Sequence, residues 1–168
     1  KPKFGAVADE FLAFVRGDVL EEPELVDPVA LAQRAVENAV RSGQAVALGA
    51  ISAPPQARLR PQAVMRALDN LISNAVRYGK RATVTVQATA NTLSFIVEDD
   101  GPGIPEARRE EAMEPFKRLD AARNPNQGGG VGLGLSIAAD IARSHGGALR
   151  LGDSATLGGL RAELQLAL

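Results

Sequence analysis

The stretch Leu93-Ser94-Phe95-Ile96-Val97-Glu98-Asp99-Asp100-Gly101-Pro102-Gly103-Ile104-Pro105 passes from an apolar, β-prone segment into a turn built on glycine and proline. It reads as a strand that delivers the chain to a sharp loop. Gly101 and Gly103 flank a proline, so the backbone can bend tightly and lie close against a flat ligand, while a carboxylate at the turn can accept a hydrogen bond from an exocyclic amine. A D-x-G-x-G turn fits a purine clamp and equally a plain strand-to-loop turn, so its neighbours in the chain have to decide between them.

Before this stretch, residues 81–88 alternate Thr and Val, and Asn91-Thr92 supplies a turn, which predicts an antiparallel hairpin ending at the two carboxylates. Pro61 opens a long helix with Val64, Leu68, Leu71, Ile72, Ala75 and Val76 on its buried face, and Gly79 ends it. Residues 45–51 form a strand, Pro54-Pro55 forbids further helix, and Arg58-Leu59-Arg60 reads as an edge strand. Asp27-Pro28 caps a helix running to about Ser42, preceded by a short strand at Glu24-Leu25-Val26 and a linker over residues 17–23. Residues 1–16 carry Phe4, Val7, Phe11, Phe14 and Val15 on one helical stripe that needs a surface to dock on.

After it, residues 106–130 are charged and then rich in Asn, Pro and Gly, the pattern of a lid or a disordered loop, with one helical turn at 108–113. Helical pattern resumes at Leu133, stops at Gly146-Gly147, and strands near 148–151 and 160–168 close the chain. The expected class is α+β: a two-layer α/β sandwich with a mixed sheet of about five strands and three helices on one face. Hairpin connections argue against a doubly wound parallel sheet.

Composition narrows the function. The 168 residues suit one domain, and at 45% hydrophobic but 4% aromatic the core must be filled by Val, Leu, Ile and Ala. A net charge of −1 from 19 basic and 20 acidic residues gives no polyanion-binding surface, for nucleic acid or membrane. The absence of cysteine excludes disulfides, thiol nucleophiles and Cys-rich zinc sites. No apolar run approaches a membrane span, and a chain that begins at Lys1 reads as an excised fragment.

Asn70 and Asn74 lie four apart and so project from one helix face, with Arg77 and Tyr78 a turn later. Amide oxygens suit Mg²⁺ beside phosphate oxygens; the alternative is that both amides face solvent or cap the helix end. Gly128–Gly134 places five glycines before a helix start, where free N–H groups and the helix dipole can meet phosphates, although no Walker-type Gly-Lys-Ser/Thr follows. Lys117, Arg118 and Arg123 are either phosphate-neutralising lid cations or a solvated charged face.

The order Asn70-to-Gly79, Asp99-Asp100-Gly101-Pro102-Gly103, Pro115-Phe116 and Gly130-Val131-Gly132-Leu133-Gly134-Leu135 resembles the ATP-binding catalytic domain of bacterial sensor histidine kinases, of the EnvZ type, over about residues 24–168. The resemblance implies a Bergerat-type ATP-binding fold with ATP and Mg²⁺ as cofactors. It implies that Asn74 holds Mg²⁺ with Asn70 beside it, that Arg77 reaches the phosphates, and that Tyr78 packs near adenine. Asp100 would bond the adenine amine, Gly101, Gly103 and Ile104 would shape its pocket, and Phe116 would anchor the lid. Gly130, Val131, Gly132, Leu133, Gly134 and Leu135 would receive the phosphates, with Lys117, Arg118 and Arg123 closing over them.

In the wider superfamily, shared with gyrase, Hsp90 and MutL ATPases, a glutamate at the position of Asn70 activates water; a neutral amide cannot accept that proton, which favours phosphoryl transfer. Residues 1–16 resemble the end of the dimerisation and phosphoacceptor hairpin, whose acceptor histidine is not in this chain. The expected partners are that hairpin and a response regulator, and the full-length protein is expected to be a homodimer anchored in the inner membrane with this part in the cytoplasm. Met113 stands where the family often has phenylalanine, and Leu160 where it often has a small hydroxyl residue. His145 reads as a capping or packing residue. Two rivals stay open: a relative that hydrolyses ATP or phosphorylates serine, and a catalytically silent module gated by nucleotide.

Overall fold

The computed structural model describes residues 21–114 and 134–168. Its first elements are β1 (Glu24–Val26), α1 (Pro28–Arg41), β2 (Val46–Ser52), β3 (Ala57–Leu59) and α2 (Pro61–Tyr78). A hairpin of β4 (Ala82–Ala88) and β5 (Thr92–Asp99) follows, then a 3₁₀ turn (Glu106–Arg108) running into the single-turn helix α3 (Arg109–Ala112). The chain closes with α4 (Gly134–Ser144), β6 (Ala148–Asp153) and β7 (Leu160–Ala167).

Local chemistry sets the helix boundaries. The Asp27 carboxylate accepts from Val29 N at 2.9 Å and Ala30 N at 3.3 Å, with Pro28 occupying the first helical position. Gly43, at φ 84°, then stops α1. In α2 the residue before the helix is Arg60, whose side chain makes no capping bond. Glu21 takes that task from a distance in sequence: its two carboxylate oxygens accept from Gln62 N at 2.7 Å and Ala63 N at 3.0 Å.

Five strands form one mixed sheet in the order β2-β4-β5-β7-β6. Only β2 and β4 run parallel; the other neighbours are antiparallel. Alternation separates the two faces of the sheet: Ala82, Val84 and Val86 are buried while Thr83, Thr85 and Gln87 are not. The buried face meets α1, α2 and α4 through Val64, Leu68, Leu71, Ile137 and Ile141, around a fully buried Phe95. Each such side chain contributes roughly 1.5–3 kcal/mol by leaving water. The opposite face is polar, with Ser94 Oγ donating to Glu163 at 2.7 Å and Arg161 pairing with the same carboxylate at 3.1 Å.

The expected two-layer sandwich is therefore what forms. One strand differs from expectation: β3 is not an edge of the main sheet but pairs antiparallel with β1 in a separate two-stranded ribbon, Glu24 opposite Leu59 and Val26 opposite Ala57. Pro54-Pro55 and Pro61 bracket β3 and keep it to three residues, enough for a partner of the same length. Among the described residues no helix is long and apolar enough to cross a membrane.

Candidate functional site

Helix α2 buries Ala63, Val64, Ala67, Leu68, Leu71, Ile72 and Ala75 against the sheet, which leaves Asn70 and Asn74 half-buried on its flank, one turn apart. The Nδ2 of Asn70 is buried without a hydrogen-bond partner among the described residues. A native protein rarely leaves a buried donor unpaired, so this amide calls for an acceptor beyond the described residues. Asn70 also lines a groove of about 800 Å³ between α1 and α2, together with Arg34, Asn38, Gln62, Arg66 and Asp69. Burial pushes the Asp69 carboxyl above its ordinary range. Arg77 and Tyr78, half-buried, sit in the last turn of α2, where the chain meets the glycine turn after β5.

That meeting is close. A Cβ on Gly101 would lie 2.7 Å from the Tyr78 carbonyl oxygen, and one on Gly79 would lie 2.7 Å from Asp100 Oδ1. Gly103 adopts φ 74°, open to glycine at little strain. Ile104 follows and packs on the core. Its carbonyl accepts from Arg109 Nε at 2.9 Å, and the same guanidinium reaches Asp153 at 2.9 Å, which fastens the segment after the turn to the end of β6.

The two carboxylates at the end of β5 have different surroundings. Leu93, Phe95 and Val97 face the helices, and the two-residue period carries Asp99 onto the same face, where it is 3% exposed. Its Oδ1 accepts from Gly101 N at 2.9 Å and Leu160 N at 3.1 Å; neither bond uses Oδ2. Burial raises its pKa, and the two N–H groups offset that only in part. Asp100 points the other way. Its Oδ1 accepts from Arg81 N at 3.1 Å and Lys80 N at 2.7 Å, and these bonds, with the Arg81 guanidinium at 3.5 Å, hold its carboxyl below the usual range. Asp100 closes the α2–β4 loop, whereas Asp99 sits beneath the glycine turn.

From sequence, Asp100 is the residue expected to bond the adenine amine; the structure ties its Oδ1 into the α2–β4 loop and buries the adjacent Asp99, where a D-x-G-x-G pattern ending in Gly101 and Gly103 begins. At Gly159, which the sequence reading did not single out, a Cβ would fall 2.3 Å from Asp99 Oδ1, so only glycine lets β7 begin against this carboxylate. At Leu160 the side chain is buried and the backbone N–H is what holds Asp99.

On the remaining side, α4 begins at Gly134, where a Cβ would lie 3.8 Å from the Asn70 carbonyl oxygen, and Leu135 is buried. The structure thus brings the end of α2 at Tyr78 and Gly79 against Gly101 after β5, Gly103 beside Gly159, and Asn70, a turn before Asn74 on the same helix, beside Gly134 at the start of α4. Phe116, Lys117, Arg118, Arg123, Gly130, Val131, Gly132 and Leu133 lie outside the described residues. Among the described residues no group of three or more His, Cys, Asp or Glu side chains is placed to hold a metal ion.

Residues 60–168, from the start of α2 to the C-terminus, match the family described as histidine kinase-, DNA gyrase B-, and HSP90-like ATPase. The chain belongs to this family. Relatives place it further within the family. Sensor histidine kinase GtrS of Pseudomonas aeruginosa is 37% identical over 172 residues, covering 98% of this chain and 35% of that protein. Sensor protein RstB of Escherichia coli is 37% identical over 164 residues, covering 93% of this chain and 37% of its own length. The chain therefore spans about a third of the length of these family members. Among solved structures, the NMR structure of the histidine kinase domain of the E. coli osmosensor EnvZ superposes with a TM-score of 0.65 at 32% identity, over 88% of this chain and 89% of that one.

Proposed function

We propose that this chain is the ATP-binding catalytic domain of a two-component sensor histidine kinase, which passes the γ-phosphoryl group of ATP to a histidine on a separate helical hairpin and thence to a response regulator. The observation that carries the reading is Asn70, a neutral amide whose buried donor has no partner among the described residues. Such a donor suits a phosphate oxygen. It is also no base: an amide cannot take a proton from water, so the site favours positioning for transfer over hydrolysis.

The remaining residues fit a nucleotide with Mg²⁺. Asp99, in place of Asp100, offers Oδ2 to the adenine amine while Gly101 and Leu160 hold its other oxygen. Gly101, where a Cβ has no room against the Tyr78 carbonyl, forms the pocket wall in this reading with Gly103, Ile104 and Tyr78. The amide oxygens of Asn74 and Asn70 suit the cation, Arg77 the phosphates, and the start of α4 at Gly134 and Leu135 the negative charge between them. Phe116, Lys117, Arg118, Arg123 and the run Gly130 to Leu133 complete this reading as lid and phosphate residues. When bound, Mg-ATP supplies the transferable phosphoryl group and part of the charge neutralisation. In this reading residues 1–16 end the hairpin of a homodimeric kinase anchored in the inner membrane, and residues 17–23 link it to the domain.

The test is transfer of radiolabel from [γ-³²P]ATP with Mg²⁺ to the separately produced hairpin of the full-length kinase. Acid-labile, alkali-stable label on the hairpin, lost in Asn74→Ala, is the expected result. ATP binding without any labelling would remove the kinase reading, and steady phosphate release would replace it with hydrolysis.

A further inference from the structure

The chain has a single histidine, and the reading above gives it no task. His145 follows the last residue of α4, with Nδ1 2.8 Å from the Ile141 carbonyl oxygen. A carbonyl only accepts, so Nδ1 carries the proton and Nε2 is left as an acceptor. That acceptor lies 3.1 Å from the backbone N–H of Arg60, the residue that opens α2. The Arg60 guanidinium completes the junction: Nη1 donates to Ser144 O at 3.2 Å and Nε to Glu21 O at 3.1 Å, while the Glu21 carboxylate caps the first N–H groups of α2.

The other end of α4 meets α2 as well, since Gly134 packs beside the carbonyl of Asn70. The helices are therefore antiparallel neighbours touching at two levels. Ten residues separate Arg60 from Asn70 and eleven separate Gly134 from His145, lengths of about 15 and 16.5 Å along the two axes. Because these lengths match, fixing one end of the pair fixes the axial position of the other. The bond at His145 sets how far the first turn of α4 reaches along α2 toward Asn70 and Asn74.

We propose that His145 is a positioning residue for the phosphate end of the site: in its Nδ1–H form it pins α4 to the start of α2, and so holds the α4 N-terminus against the helix that carries the asparagines. The proposal rests on the nucleotide reading above and adds to it a residue remote from the ligand. Losing the clamp lets α4 populate other registers, and ATP then binds to a fraction of the molecules only.

Two measurements test it. With one histidine in the chain, a long-range ¹H–¹⁵N spectrum reports the imidazole tautomer directly; an Nδ1–H signal at neutral pH is expected, and an Nε2–H signal overturns the clamp. Titration with ATP and with adenosine then compares wild type with His145→Phe, which keeps a ring but no acceptor, and with His145→Gln, whose amide oxygen can take the Arg60 N–H. ATP affinity is expected to fall about fivefold to tenfold in His145→Phe, the worth of about one hydrogen bond, with adenosine within about twofold and with partial recovery in His145→Gln. Equal losses for ATP and adenosine, or no loss for either, refute positioning. If His145→Phe does not fold, Arg60→Ala, which keeps the backbone N–H but drops the guanidinium bonds, is expected to show the same selective loss, about twofold to threefold. A wild type that binds no ATP refutes the nucleotide reading and the positioning role together, while the tautomer still decides whether the clamp exists.

Discussion

Exchanging Asp99 and Asp100 for amides, one at a time, separates two carboxylates that adjoin in sequence. In Asp99→Asn the amide oxygen still accepts from Gly101 and Leu160, so the turn keeps its shape. What changes is the second position, where a carboxylate oxygen becomes an NH₂ that, in the proposed complex, faces the adenine amine. The variant loses a hydrogen bond to a charged group, about 1.5–3 kcal/mol, and sets two buried donors against each other, about 1–3 kcal/mol more. A total of about 2.5–6 kcal/mol is a loss of about sixtyfold or more in ATP affinity.

Stability moves the opposite way. Burial raises the folded-state pKa of Asp99 above its unfolded value, so its charge costs stability at neutral pH, and that cost disappears as pH falls toward the ordinary value of 3.8. Asp99→Asn should therefore melt at a higher temperature than wild type. Asp100 has a lowered pKa, so it contributes stability that is present above 3.8 and lost as pH falls through its folded value. Asp100→Asn should bind ATP within about threefold of wild type, as expected for a residue that only shapes a loop, and melt slightly lower at neutral pH. Calorimetric titration with Mg-ATP and a melting curve on each variant suffice. If Asp100→Asn abolishes binding and Asp99→Asn preserves it, the assignment built on burial and register is refuted.

Close backbone packing gives another test: Gly159→Ala would drive a Cβ to 2.3 Å from Asp99 Oδ1 and should lower stability by about 1–3 kcal/mol and weaken ATP binding, whereas Gly152→Ala, with nothing within 4 Å, should leave both unchanged. Removing the remote cap with Glu21→Ala should cost about 1 kcal/mol, read as a fall of about 2–4 °C in melting temperature. Leu68, fully buried at the α2–sheet contact, should cost about 2–5 kcal/mol as Leu68→Ala in chemical denaturation.

Local signals carried much of this fold. Pro61 and Gly79 bounded α2 almost to the residue, and the Thr/Val alternation before Asn91 gave the β4–β5 hairpin. Pairing between distant segments left no such mark. Nothing in Ala57–Leu59 says that its partner is Glu24–Val26, or in Val46–Ser52 that it lies parallel to β4, because those choices depend on what the intervening helices cover. At the site, the asparagine pair and the glycine turn were legible from spacing. Asp99 was legible too, by continuing the period of Leu93, Phe95 and Val97, but a motif read as a string hides the face on which each residue falls. The task of Glu21 was not legible, since a cap supplied about forty residues away has no sequence pattern.

The one parallel pair in the sheet has a consequence for the order of assembly. β4 and β5 can zip together through their own tight turn, but β2 reaches β4 only after the chain between them, α2 included, has crossed over the sheet. The helix bearing Asn70 and Asn74 is thus a bridge whose two abutments are adjacent strands: until both are set it has no fixed place, and once they are set it cannot slide without unzipping an edge. Amide exchange should follow the same hierarchy, with β4 and β5 protected longest and β2 opening first, so that the asparagines lose their footing before the centre of the sheet unravels.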